Sequence, residues 1–175
     1  SWIFETTQDI YAVILKDFQP CPSLRAFVRC YRIVHMRFDS SDSPPFKPYT
    51  PRPEQCLAFY PHDREQVEFT SKSMRVSNIP VALIGQALSV TNRYIHGHFM
   101  VVQILFQPGG LFRLTGMPGT EVNDAYIAAD CVFPKDVHLV NEAFFHAGDY
   151  AEIVQIANGF VGSLVRKAMK NVHPI

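Results

Sequence analysis

The chain has 175 residues and a mass of 19.9 kDa, which is enough for one domain with its own hydrophobic core and too little for a typical two-domain enzyme. Hydrophobic residues make up 47% of the sequence and charged residues only 18%, a composition that excludes the disordered and coiled-coil classes. The 16 basic residues balance 16 acidic ones, giving a formal net charge of +0. The chain therefore lacks the positive charge with which a domain binds nucleic-acid phosphates.

The cysteines and the apolar runs favour a cytoplasmic protein. Cys21, Cys30, Cys56 and Cys131 lie far apart with no C-x-x-C pair, so neither a zinc finger nor a disulfide scaffold is indicated, and we expect reduced thiols. No apolar run reaches the roughly 18 to 20 residues of a membrane-spanning helix, and no secretory leader opens the chain. The start at Ser1 and the stop soon after a strong helical pattern favour a piece of a longer protein.

The first two thirds of the sequence predict β-structure. Residues 11–15 predict a strand, 22–28 a short helical turn and 30–38 a second strand. Five prolines and three serines between positions 39 and 53 predict a surface loop that is neither helix nor central strand.

Further β-type runs follow this loop at 56–60, 66–70 and 81–85, separated by turn residues, as is typical of an antiparallel sandwich or barrel. The longest β-type run, 94–106, stops at Pro108-Gly109-Gly110, where a strand must end and a helix can begin. Residues 111–115 predict one or two helical turns after this corner.

The last third of the chain predicts helices. Asp149 followed three residues later by Glu152 is typical of a helix start, and apolar residues recur at helical spacing from there to about residue 168. A shorter helix of the same kind is predicted around 137–145. The sequence thus predicts an α+β fold, in which an antiparallel β-barrel or sandwich, cupin-like or jelly-roll-like, occupies residues 1–108 and a helical region, 109–175, packs on it in one compact domain.

Two glycines interrupt the long helix and invite two explanations. Gly159 and Gly162 each cost up to about 1 kcal/mol relative to alanine inside a helix. Either they allow close packing on the barrel, or they belong to a seam between two subunits. Phe160 and Leu164 are the residues that we expect to serve a dimer seam or a signal-transmitting helix.

A pair of histidines in the long β-type run carries a possible metal chemistry. His96-x-His98 in a strand would place two imidazoles on one face, about 7 Å apart. The spacing to Gln103 and Gly110 matches the cupin signature, but Gln103 replaces its acidic ligand. One alternative is therefore a small cupin-like metalloenzyme that uses His96 and His98. The preferred interpretation has no metal and no cofactor.

Three residues are candidates for binding a small ligand. Tyr60 and His62 flank a proline at the end of a predicted strand, where an aromatic ring and an imidazole can orient a ligand in a cavity. Strand parity adds His98. The sequence contains no nucleophile elbow and no paired carboxylates, so we expect no catalytic residues and no enzyme.

The segment around the Pro-Gly-Gly corner resembles a known family. Residues 106–124, FQPGGLFRLTGMPGTEVND, resemble the F-x-P-G-G motif of the N-terminal sensor domain in a group of AraC-type bacterial transcriptional regulators. Residues 22–31 resemble that family's opening P-x-L-x-x-F-V-x-x-Y motif, with Arg32 where tryptophan is usual, and 53–60 and 83–86 resemble further pieces in the same order.

The resemblance implies a sensor barrel in residues 1–108 and an effector-sensing or dimerising role. It implies a small-molecule effector and a second copy of the chain as partners, and DNA only through two helix-turn-helix units beyond residue 175. The helix predicted at 149–170 would then form the subunit seam or transmit a change in the barrel.

Overall fold

The computed structural model describes residues 10–38, 46–49 and 53–171. The strands are β1 (Ile10–Phe18), β2 (Val28–Phe38), β3 (Phe46–Tyr49), β4 (Cys56–Phe59), β5 (Gln66–Phe69), β6 (Met74–Val76), β7 (Val81–Ile84), β8 (Thr91–Tyr94), β9 (His98–Phe106) and β10 (Tyr126–Ala128). The α-helices are α1 (Gly110–Thr115), α2 (Val137–His146) and α3 (Tyr150–Lys170), and single 3-10 turns lie at Pro22–Leu24, Gly119–Val122 and Ala129–Cys131.

The strands form two sheets, and all pairings within them are antiparallel. The six-stranded sheet has the order β1-β2-β9-β4-β7-β10, and the four-stranded sheet has the order β3-β8-β5-β6. Although β10 comes after α1 in the chain, it pairs with β7 at the edge of the larger sheet. The predicted α+β fold, an antiparallel sandwich followed by a C-terminal helical segment, is confirmed.

The middle of the six-stranded sheet, along β4 and β9, is buried on both faces. Along β9, Val102 and Ile104 pack towards the helices, whereas Val101 and Leu105 pack towards the four-stranded sheet. Because successive side chains of a strand point to opposite faces, a strand that is covered on both sides needs a continuous apolar run. The long apolar run of β9 is therefore the sequence signature of a middle layer between helices and a second sheet.

The helical layer is anchored by α3. Its buried side chains lie on one face of the helix and are Ile153, Ala157, Phe160, Val161 and Leu164. The predicted cap is confirmed, since Asp149 Oδ1 accepts a hydrogen bond from the Glu152 backbone N–H at 2.8 Å. Glu152 Oε2 in turn accepts one from the Gly148 N–H at 2.9 Å.

Two predictions about strands are wrong. Residues 94–106 are not one strand, because β8 ends at Tyr94 and β9 begins at His98, with Gly97 between them at φ +60°. Part of the proline-rich loop is a strand, since β3 pairs with β8. β3 lies at the edge of its sheet, where Pro48 lacks an N–H without interrupting a central ladder. Positions 39–45 and 50–52 of that predicted loop lie outside the described residues.

The close-packing explanation for the helix glycines is also wrong. Among the described residues, a Cβ atom on Gly159 would meet nothing within 4 Å, and one on Gly162 would meet only the Arg166 side chain, at 3.4 Å. Phe160 and Leu164, by contrast, are 5% and 7% exposed and pack in the core of their own chain. The face of α3 that is open to another molecule is therefore the glycine face, not the face of Phe160 and Leu164. None of the helices in the described part of the chain is both long and apolar enough to cross a membrane.

Candidate functional site

A cleft of about 420 Å³ lies at one end of the four-stranded sheet. The residues around it come from the segment that enters β5, from the segment that follows β6, and from the end of β8 with the turn after it. Each of them has a polar side chain: His62, Asp63, Arg64, Glu65, Gln66, Ser77, Asn78, Tyr94 and His96. A cleft with this lining can form hydrogen bonds to a polar small molecule from several sides.

The wall of the cleft is fixed to β9 by a reciprocal pair of hydrogen bonds. The Asp63 N–H donates to the His98 carbonyl oxygen at 3.0 Å, and Asp63 Oδ2 accepts from the His98 N–H at 2.7 Å. Gly97 makes this approach possible, because a Cβ atom there would lie 2.2 Å from Asp63 Oδ2. The positive φ of Gly97 also favours glycine. This wall is therefore preorganised.

Arg64 connects two sides of the cleft. Its Nη1 donates to Asn78 Oδ1 at 2.5 Å, and Asn78 adopts a left-handed backbone conformation with φ 63°. Asparagine tolerates that conformation better than most residues do. Asn78 is thus held in the orientation that meets Arg64.

A buried ionic network lies next to the cleft, between the sheets. Glu65 Oε1 accepts a hydrogen bond from the Tyr60 hydroxyl at 2.7 Å and another from Arg93 Nη1. Tyr60 is 2% and Glu65 8% exposed, and the Arg93 guanidinium lies 5.4 Å from the centre of the Tyr126 ring. Burial, followed by the charge of Glu65, raises the pKa of Tyr60 well above its ordinary value. The Tyr60 hydroxyl is therefore neutral and donates to the carboxylate.

Three histidines form a row on the helix-facing side of the six-stranded sheet. We call His35, His98 and His62 the histidine row. The Nε2 atoms of His35 and His98 are 2.6 Å apart, and the rings of His98 and His62 stack with their centres 3.7 Å apart. His35 Nδ1 lies 2.8 Å from the Tyr150 hydroxyl, and the His62 ring contacts Phe145 at a centre distance of 4.9 Å. The row thus extends from the cleft, which His62 lines, to the first turn of α3.

The surroundings of the row favour neutral imidazoles. Burial, then the neighbouring His98, His62 and Arg37, lowers the pKa of His35 to about 4. Burial also lowers the pKa of His62, with further contributions from His98 and Arg37 that Asp63 opposes. The pKa of His98 is lowered by burial and by Arg37, again against Asp63. All three rings are therefore uncharged at pH 7.

The structure brings together only two of the residues predicted to bind ligand. His62 and His98 stack on each other, but Tyr60 points between the sheets, where it contacts Glu65. The expectation that His96 and His98 share one strand face is wrong, because His96 lies in the turn before β9. In the described residues, no group of three or more His, Cys, Asp and Glu side chains has the arrangement of a metal site.

Sequence reasoning missed His35 as a site residue. His35 has the same parity along β2 as the buried residues Tyr31 and Ile33, which indicates the face it lies on. Its meeting with His98 depends on the register of β2 against β9, in which Arg37 is opposite His98. That register cannot be read from either strand alone.

The model of a family described as a domain of unknown function, DUF6597, matches residues 16–128. No curated protein matches the chain. Two solved structures are 12% identical to it. One is a Salmonella typhimurium LT2 protein described as ethanolamine utilization protein Q, with a TM-score of 0.36 over 55% of this chain and 70% of that one. The other is KdgF from Halomonas sp., with a TM-score of 0.34 over 62% of this chain and 95% of that one. No inference about ligand or activity follows from likenesses this distant.

Proposed function

The chain belongs to DUF6597, a family described as a domain of unknown function, and we propose that it is the effector-sensing domain of an AraC-type transcriptional regulator. In this proposal a small polar effector binds in the cleft and α3 reports its presence. DNA binding belongs to a helix-turn-helix domain that is not in this chain. The chain itself performs no catalysis.

One observation carries the proposal: the wall of the cleft is in direct contact with the helical layer. His62 lines the cleft, stacks on His98 and contacts Phe145 at the end of α2, while His35 contacts Tyr150 of α3. A ligand that moves His62 therefore changes the contacts that hold α2 and α3. By linkage, such a ligand shifts the equilibrium between two positions of α3. The shift in free energy cannot exceed the difference between the binding free energies of the ligand for the two positions.

The segments that resemble the AraC-type sensor domain pack against each other, which supports the regulator interpretation. Two of them, distant in sequence, meet in the structure at the corner before α1. The Arg113 guanidinium lies 4.3 Å from the centre of the Phe27 ring, and the Gln107 N–H donates to the Phe27 carbonyl oxygen at 2.8 Å. A Cβ atom on Gly110 would lie 2.3 Å from that same oxygen, so the second glycine of the motif is required there. The shared motifs thus form one packing contact between the start of β2 and α1.

The first test is thermal unfolding of the chain against a panel of polar metabolites. A compound held at about one hundred times its dissociation constant should stabilise the fold by about 2.7 kcal/mol, which is a rise of a few degrees in Tm for a domain of this size. We expect the rise to disappear in Asn78→Ala and in His62→Ala, since both residues line the cleft. His138→Ala is the matched control, because His138 is exposed on α2 and pairs with Asp130.

Two results would contradict effector binding in the cleft. One is a panel that stabilises neither the wild type nor any variant. The other is a stabilising compound whose effect survives both cleft substitutions, which would place its site elsewhere.

A specific observation also favours dimerisation through α3 as a second function. Glu152, Gln155, Gly159 and Arg166 follow one stripe of the helix at spacings of three, four and seven residues, and Gly159 is open. If two copies of α3 pair antiparallel about Gly159, Glu152 of each copy faces Arg166 of the other. Opposite charges then meet at both ends of a seam in which the glycines let the helices approach closely.

Sedimentation of the purified chain tests this second function. We expect a dimer that Gly159→Leu weakens by filling the space between the helices, whereas Leu139→Gln, at an exposed position of α2, leaves the dimer unchanged. A monomer at all concentrations, or a dimer indifferent to Gly159→Leu, would exclude this seam.

A further inference from the structure

The histidine row lies where the sandwich meets the beginning of α3. We propose that the row is a proton-operated joint, in which the uptake of protons by His35, His98 and His62 loosens the first turn of α3 from the sheet. The joint needs no ligand. Only its consequence for signalling, a sensor whose output depends on pH, rests on the proposed function.

The geometry of the row limits how many protons it can hold. The Nε2 atoms of His35 and His98 are 2.6 Å apart, so a single hydrogen lies between them, donated by one ring and accepted by the other. A first extra proton is tolerated, because a charged His35 can donate to His98 through Nε2 and to the Tyr150 oxygen through Nδ1. A second extra proton on His98 places two N–H donors against each other at the same distance, and the rings of His35 and His98 must separate.

The ring of His62, which lines the cleft, also limits how many protons the row can hold. The rings of His62 and His98 are inclined by 16° with their centres 3.7 Å apart. Two stacked neutral imidazoles are stable in this arrangement, but two stacked imidazolium ions repel each other at close range. Phe145, which contacts the ring of His62, is apolar and offers no compensating charge.

The charged groups around the row do not offset a second proton. On β2, Arg37 adds a positive charge that lowers the pKa of all three histidines. Before β5, Asp63 favours the charged forms of His62 and His98, but its Oδ2 already accepts from the His98 N–H. From α3 the row is met by the neutral Tyr150 hydroxyl. At the end of α2, the exposed His146 contacts Phe145 edge-to-face.

The loosening is directed at α3 because of where the row ends. Tyr150 is the first residue of α3, and its hydroxyl contacts His35. His35 must move when it and His98 are both protonated, and this contact is then lost. The rest of α3 is held by buried apolar side chains, whose packing does not titrate. The expected response is therefore local to the first turn.

The histidine titration can be followed by NMR on the wild-type chain without any ligand. We expect all three row histidines to titrate below the ordinary imidazole value of about 6.5, His35 lowest, and the midpoint of each to shift when a neighbouring ring of the row is replaced. Row histidines that titrate at the ordinary value, or independently of one another, would overturn the proposal.

Hydrogen exchange measures the loosening itself. We expect the protection factors of the Glu152 and Ile153 amides, whose N–H groups donate to the side chain and the carbonyl oxygen of Asp149, to fall at least tenfold as the row titrates, once corrected for the intrinsic exchange rate at each pH. The protection of the later turns of α3 should stay constant. In Tyr150→Phe the first turn should show low protection at all pH values, whereas Leu139→Gln, at an exposed position of α2, should retain the wild-type response.

Constant protection in the wild type, or an unchanged response in Tyr150→Phe, would contradict the joint. Because both experiments are done without ligand, they can succeed when no effector is found. An effector can also bind the cleft while the joint fails, so the two proposals fail separately.

Discussion

Two polar clusters lie on opposite faces of the same six-stranded sheet and differ in how they manage charge. Between the sheets, the Glu65 carboxylate is matched by the Arg93 guanidinium and the Tyr60 hydroxyl. On the helix side, the histidine row is uncharged at pH 7, and none of its rings makes an ion pair with a described residue. The two opposite charges of an ion pair offset each other, whereas the row gains positive charge as the pH falls below 6.5 towards 4. The difference assigns a structural role to the first cluster and a responsive one to the second.

The largest expected effect comes from unbalancing the interior cluster. Arg93→Met should lower the free energy of unfolding by about 3 to 5 kcal/mol, because it leaves the buried Glu65 carboxylate without its cation. Chemical denaturation measures this directly. The double variant Arg93→Met with Glu65→Leu should regain most of the loss, since apolar residues of similar volume often replace a buried pair without cost.

A matched exposed ion pair provides the control. Arg75 Nε lies 2.8 Å from Glu68 Oε2, and the Arg75 side chain is 54% exposed. Arg75→Met should therefore change the free energy of unfolding by less than about 1 kcal/mol. Equal losses in Arg93→Met and Arg75→Met would mean that burial does not distinguish the two pairs.

The second prediction changes the charge of the row through pH. In the folded chain the pKa of each row histidine lies below the ordinary value of 6.5, at about 4 for His35. Between these values the unfolded chain binds more protons than the folded chain does. The free energy of unfolding should therefore be highest above pH 6.5 and should fall as the pH is lowered towards 4. The loss should be smaller than that in Arg93→Met, because the row is only half-buried.

Urea unfolding at a series of pH values measures this loss. Carboxylates also begin to titrate near pH 4, so the contribution of the row is the difference between the wild type and His35→Gln, which cannot be charged at this position. We expect a flatter pH profile for His35→Gln than for the wild type. Identical slopes in the two proteins would show that the row does not contribute.

The sequence predicts the layers of this fold better than it predicts the two clusters. The double-sided burial of β9, the corner at Pro108-Gly109-Gly110 and the Asp149 cap depend on neighbouring residues in the chain, so local patterns are enough to find them. The break between β8 and β9 was missed because the residues around Gly97 are β-type in character. What requires the break is a contact with Asp63, 34 positions earlier in the sequence.

Both clusters depend on the same kind of distant contact. Tyr60 was predicted to share a cavity with His62, two positions away, but the proline between them lies where β4 has ended, and the two side chains go to different layers. His35 and His98 meet only through the pairing of β2 with β9. Sequence analysis can nominate such residues by type and parity, but only the strand register decides which of them meet.

The smallest expected effect comes from two glycines, Gly97 next to the histidine row and Gly159 on the open face of α3. Gly159→Ala should raise the free energy of unfolding by about 0.5 to 1 kcal/mol, because alanine is the better helix former and its Cβ atom meets nothing within 4 Å. Gly97→Ala should lower it, since the left-handed φ of +60° and the nearby Asp63 Oδ2 both oppose a side chain. Thermal unfolding of the two variants at low protein concentration, where any dimer dissociates, isolates these intrachain effects.

If sedimentation shows that Gly159→Ala also forms a weaker dimer, then the open face of α3 is in contact with a second copy. The glycine is then retained for assembly at a cost in stability. If it stabilises the chain and leaves its mass unchanged, α3 contributes to the function through its buried face alone.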